Sequence, residues 1–150
     1  MTSFHTATVV QTYAAARREL LTAMLADRRN GVSANDIVRM AESAWSRPIT
    51  LDYLNCWELS EDARRALESA GLAAWTDVRT IGDLTGARRV MLSLARDPAE
   101  AEPQQWRSLP ARIAAALVQA EIAWSFPDVD ENQPLDALLD DYEEIQLHRA

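Results

Sequence analysis

Residues 31–54, GVSANDIVRMAESAWSRPITLDYL, decide how this chain is read, because their spacing predicts a helix, a tight turn and a second helix. Ser33 stands where a helix cap belongs, and Asp36 follows three residues on, where a capping-box acid reaches back to the cap's N–H. Ile37, Met40, Ala41 and Ala44 then fall on one helical face. Ser46 is a second cap, and Pro48 lies in the first turn of the next helix, where its missing N–H costs little. Leu51 and Leu54 extend the apolar stripe, which leaves Arg47, Thr50 and Tyr53 as outward groups able to reach a phosphate or a base edge. Two short helices joined in this way have the shape that enters a DNA major groove.

The elements on either side read as mostly helical with one β-hairpin. Residues 7–29 form a long helix with Val9, Tyr13, Leu20, Leu21, Met24 and Leu25 as its apolar members, and Gly31 lies just past its end. In LSEDARRALESAGL, Ser60 is a cap, Ala63, Leu67 and Ala70 are the inner stripe, and Gly71 is the stop. Between residues 75 and 95 the period changes: Val90, Leu92 and Leu94 alternate with Arg89, Met91 and Ser93 as in a strand. Gly82 and Gly86, around Asp83 and Thr85, supply the turn between two such strands. Helical spacing returns over residues 108–124. A last amphipathic helix is expected over 134–147, with Leu135, Leu138, Leu139, Tyr142 and Ile145 on one side. PDVDENQP, residues 127–134, reads as the linker, dividing the chain into 1–126 and an acidic tail, 127–150. No internal repeat is visible.

Composition limits the classes open to such a chain. A length of 150 residues suits one domain with a real core, and 48% hydrophobic with 25% charged residues is ordinary for a soluble protein. No apolar run approaches the ~20 residues of a membrane span. The first residues, MTSFHTATVV, lack the basic and apolar blocks of a secretory signal. Cys56 is the lone cysteine, too few for an internal disulfide, and its neighbours Asn55, Trp57 and Glu58 make it a buried filler rather than a redox sensor; a bacterial cytoplasm is the expected compartment. All 15 basic residues are arginine, which together with the abundant alanine fits a GC-rich genome. The net charge of −8 is unevenly spread: residues 1–96 hold 12 arginines against 11 acids, and residues 97–150 hold 3 against 12. The front of the chain is therefore not repelled by phosphates.

The order of helices, helix-turn-helix, hairpin and further helices resembles the winged helix-turn-helix regulators, with a layout similar to the MarR-like repressors. Residues 15–96 carry the resemblance as motif, and SRPITLDYL is similar to the start of many recognition helices. The turn departs from the family pattern, since Ala44-Trp45 stands where a glycine and a small apolar residue are usual. The resemblance implies a fold with flanking N- and C-terminal helices and no cofactor. It also implies a homodimer on double-stranded DNA, Ser46, Arg47, Thr50 and Tyr53 facing the groove, and a wing bearing Arg79, Arg88 and Arg89 on the backbone. Arg79 and Arg89 could instead pair with Asp77 and Asp83. A second register makes 60–70 the recognition helix, with Glu61, Asp62, Arg64, Arg65 and Glu68 outward. A rival class is a protein-interaction module working through the acidic C-terminal helix. Neither a metal-ligand spacing around His5 and His148 nor a glycine-rich phosphate loop is present, so neither a catalytic nor a metal residue is assigned.

Overall fold

A computed structural model describes residues 4–82, 88–95, 102–126 and 144–150. They form α1 (His5–Arg29), α2 (Ala34–Ala41), α3 (Arg47–Ser69), β1 (Thr76–Ile81), β2 (Arg89–Leu94), α4 (Pro103–Gln119), β3 (Ile122–Ser125) and β4 (Ile145–Arg149). The chain divides into two compact units, Met1–Leu54 and Asn55–Ala150, with the boundary inside α3. Among the described residues no helix is long and apolar enough to cross a membrane.

In the first unit the long helix and the cap are where the sequence places them. Ser33 is extended, and its hydroxyl accepts from the Asp36 N–H at 3.1 Å, satisfying one of the orphan donors of α2. The inward face of α2 is Ile37, Val38 and Ala41, whereas Met40 and Ala44 are exposed. The eight-residue helix is too short for its stripe to extend to Ala44, which lies in the turn.

The second unit departs from a lone hairpin. β1 and β2 pair antiparallel as expected, with Val78 opposite Leu92, but the sheet has four strands in the order β1-β2-β4-β3. β4 pairs antiparallel with both β2 and β3. The helix expected to end at Leu147 is therefore corrected at its end: Ile145 and Leu147 are inward residues of a strand, while residues 134–143 lie outside the described ones, as does the linker 127–134. The helix expected over 108–124 stops at Gln119, and Ile122–Ser125 is β3. Nor does a helix begin at Ser60. This residue sits within continuous α3, its hydroxyl donating to the Trp57 carbonyl at 2.8 Å.

Val78, Val90, Leu92, Ile122, Ile145 and Leu147 share one face of the sheet, and α3 and α4 cover it with Leu59, Ala63 and Leu67, and with Leu109, Ile113 and Leu117. These helical sets are fifty residues apart in register, as are Leu72 and Ile122 after them. The cap bonds repeat with the same offset: Ala70 N–H to Ala66 O and Ala120 N–H to Ala116 O, both 3.2 Å, then Gly71 N–H to Glu68 O and Glu121 N–H to Val118 O, both 3.0 Å. Even the left-handed residue recurs, at Gly71 (φ 75°) and Glu121 (φ 58°). The unit is thus a helix–strand–strand motif used twice, its second strands β2 and β4 paired at the centre. A repeat absent from the reading of the sequence is present in the backbone.

Left-handed backbone crowds Cβ against the carbonyl in any residue but glycine. Glu121→Gly is therefore expected to raise stability, and Gly71→Ala to lower it, each by about 1 kcal/mol, as read from urea unfolding midpoints.

Candidate nucleic-acid interface

The helix pair is built around Trp45. This side chain is buried, and its ring stacks on Tyr53 with centroids 5.0 Å apart and planes at 17°. The indole in the turn is an anchor: it closes the corner and fixes the side of α3 that turns inward. Thr50 and Leu54, one helical turn apart, are both fully buried on that inward side. Thr50 is therefore corrected from an outward contact to a core residue, and its hydroxyl has no hydrogen-bond partner.

Arg47 behaves as expected in being exposed, but its partner is neither Glu42 nor Asp52. Its Nη2 donates to Asn35 Oδ1 at 2.9 Å, from the start of α3 back to the start of α2. This brace holds the guanidinium at the mouth of the helix pair, with further N–H groups to direct at an acceptor. Ser46 is exposed immediately before α3, and its carbonyl accepts from the Thr50 N–H at 3.0 Å. Tyr53 is half-buried against Trp45.

Two further arginines join this side of the unit. A groove of about 240 Å³ is lined by Ala14, Arg17, Arg18, Leu21, Trp45 and Tyr53. The Arg17 guanidinium lies 5.8 Å from the Tyr13 ring centre, and its Nε is buried without a partner. Cations beside stacked aromatics can hold a phosphate or a base face. Apolar spacing marks the first helix as a packing element and hides these residues; the adjacent pair Arg17-Arg18 is their signal in the sequence.

The second unit holds the other three expected contacts and presents fewer of them. Arg79 forms an ion pair with Glu144, which neutralises it, and its expected partner Asp77 instead stands opposite Ser93. Arg88 is buried and its carbonyl accepts from the Cys56 thiol at 3.6 Å, so it is corrected from a surface contact to an interior residue. Arg89, opposite Ile81, is exposed, as Arg79 is despite its ion pair; Asp83 lies outside the described residues. With β4 against β2, the hairpin is half of a sheet rather than a projecting ribbon.

The second register fares no better as a groove-facing helix. Arg64 donates to the Val78 carbonyl at 2.7 Å and Arg65 pairs with Asp62, which also takes Arg149 at 2.7 Å. Elsewhere, Ser125 Oγ lies 2.8 Å from His148 Nε2. This is nucleophile-to-base distance, yet no carboxylate among the described residues orients the ring as a triad would require.

No family model matches the chain, and no curated protein or solved structure is similar enough to stand as a relative.

A buried hydroxyl without a partner is a cost that an apolar side chain of similar shape removes. Thr50→Val is expected to raise unfolding stability by about 1 kcal/mol and leave surface behaviour unchanged. Thermal and urea unfolding check this.

Proposed function

We propose that this chain is a sequence-specific double-stranded DNA-binding regulator of transcription, working as a homodimer. Reading is done by the first unit, through the exposed start of α3. The observation that carries the reading is Arg47, exposed at the N-terminus of the second helix of the pair and braced from Asn35 at 2.9 Å. A helix that enters a major groove contacts bases with its first residues, and a braced arginine loses less freedom on binding guanine. Local charge supports it: residues 1–54 hold six arginines against five acids, whereas residues 55–150 hold nine against eighteen. A winged arrangement in the finer sense rests on Arg89 alone for its flanking contact, so most backbone affinity falls to Arg17, Arg18 and Arg47.

Dimerisation through α1 is supported by a helix that lacks reasons of its own to form. His5–Ala16 carries neither an acid nor an arginine, and within it Thr6, Thr8, Val9, Val10 and Thr12 are poor helix formers. Residues 4–13 are all exposed, and Met24 is the one buried residue of the helix. Val9, Tyr13, Ala16, Leu20 and Ala23 recur at alternating four- and three-residue steps, the spacing of a helix–helix seam. Two copies crossing antiparallel would cover uncharged surface with uncharged surface.

A random-oligonucleotide selection with the full chain tests the whole reading. The expected result is an enriched motif of two half-sites about one helical turn apart; recovery of unpatterned sequence would sink it. Arg47→Ala is expected to weaken the selected site by about 1–3 kcal/mol and to relax one base position in each half. Tyr13→Glu is expected to give a monomer by sedimentation velocity and to reduce binding to that of a single half-site. A dimer that persists would remove α1 as the seam.

A further inference from the structure

The first unit carries two guanidiniums that its own acids leave unanswered. Residues 1–54 hold six arginines, and every charged side chain of that stretch is among the described residues. Arg39 pairs with Asp36 at 3.5 Å, Arg47 is braced from Asn35, and Arg28 and Arg29 have contacts of their own. The guanidiniums of Arg17 and Arg18 have neither an ion-pair partner nor a hydrogen-bond acceptor among the described residues. Both line the groove of about 240 Å³ whose other walls are Ala14, Leu21, Trp45 and Tyr53. All six belong to the first unit. The Arg17 Nε is buried without an acceptor beside the Tyr13 ring, a cost that is offset when the guanidinium turns to an incoming anion.

We infer that this groove binds a small flat-ringed phosphate monoester, of the class of the nucleoside monophosphates, with its ring on the aromatic wall and its phosphate on Arg17 and Arg18. Charge selects the phosphate. A monoester carries about −1.5 to −2 at pH 7 and three acceptor oxygens, enough for two guanidinium forks, whereas a carboxylate fills one. The wall selects the ring, since Ala14, Leu21, Trp45 and Tyr53 offer apolar and aromatic surface and no carboxylate. Volume selects the size. A cavity of about 150 Å³ holds benzene, and drug-sized ligands take about 300–1,000 Å³. At about 240 Å³ the groove takes one base and leaves sugar and phosphate at its rim. The site stands without duplex binding; only its regulatory consequence rests on that reading. Arg17 and Arg18 are the cations given to the duplex backbone, so an occupied groove withdraws them from it.

Calorimetric titration of the full chain with the common ribonucleoside 5′-monophosphates, their nucleosides and inorganic phosphate tests it. At least one monophosphate is expected to bind at one per chain, about tenfold or more tighter than its nucleoside and than inorganic phosphate. Arg17→Gln and Arg18→Gln are each expected to weaken it about tenfold while melting with the parent. Ala14→Phe, which fills the groove and keeps both charges, should abolish nucleotide binding and leave duplex binding intact. On a selected duplex, the monophosphate should release the parent and not Ala14→Phe. A chain that binds the monophosphate but selects no duplex motif sustains the inference and sinks the duplex reading. Three outcomes would overturn the inference: no monophosphate bound below about 1 mM, inorganic phosphate bound as tightly as every monophosphate, or affinity unchanged in Ala14→Phe and in both arginine variants. A duplex undisturbed by saturating monophosphate would overturn its regulatory half.

Discussion

Pairing of β2 with β4 is the interaction on which the second unit depends. Three register positions, Val90 with Leu147, Met91 with Gln146 and Leu92 with Ile145, join strands more than fifty residues apart. Without it each half is a hairpin and one helix, too small an assembly to be stable in water. With it, Val90, Leu92, Ile145 and Leu147 form one apolar floor, and the leucines of α3 and α4 close over it. Each such leucine, fully buried, contributes about 2 kcal/mol of transfer free energy. The loop-closure cost of this distant pairing falls once, and both halves then share the core.

The same pairing gives one exposed arginine a partner: the chain entering β4 brings Glu144 to Arg79, while Arg88, whose carbonyl takes the Cys56 thiol, is buried. In the first unit the corresponding constraint is Trp45. Its burial turns Thr50 and Leu54 inward, leaving Arg47 exposed at the helix start and Tyr53 at the groove with Arg17 and Arg18. Sequence thus sets local packing, and packing sorts which cations stay exposed.

Much of this was legible before any coordinates. α1, the Ser33 cap and both strands of the hairpin carry periods long enough to identify, and Cys56 is buried as its neighbours imply. Three readings failed for identifiable reasons. Ile145 continues a helical stripe from Leu138 and Tyr142, yet alternates with Gln146, Leu147 and His148 as a strand does, and so short an apolar run satisfies both periods. β3 has four residues and follows α4 with only Ala120 and Glu121 between, so its apolar members pass for a last helical turn. Thr50 was placed outside because it is polar; tertiary packing overrode that, as it can where one hydroxyl is the cost of closing a corner. The internal repeat is hard to see in the sequence because its matching positions are mostly Leu and Ala, and these at helical spacing are too common to signal duplication.

That repeat separates what packing demands from what it leaves open. Leu59 with Leu109, Leu67 with Leu117 and Leu72 with Ile122 agree because each pair performs the same task against the same sheet. Arg64 with Ala114 and Glu68 with Val118 disagree on the flank of the helix, beside the core positions, where packing is indifferent to polarity. In one half Arg64 donates to the Val78 carbonyl on β1; in the other Val118 is exposed.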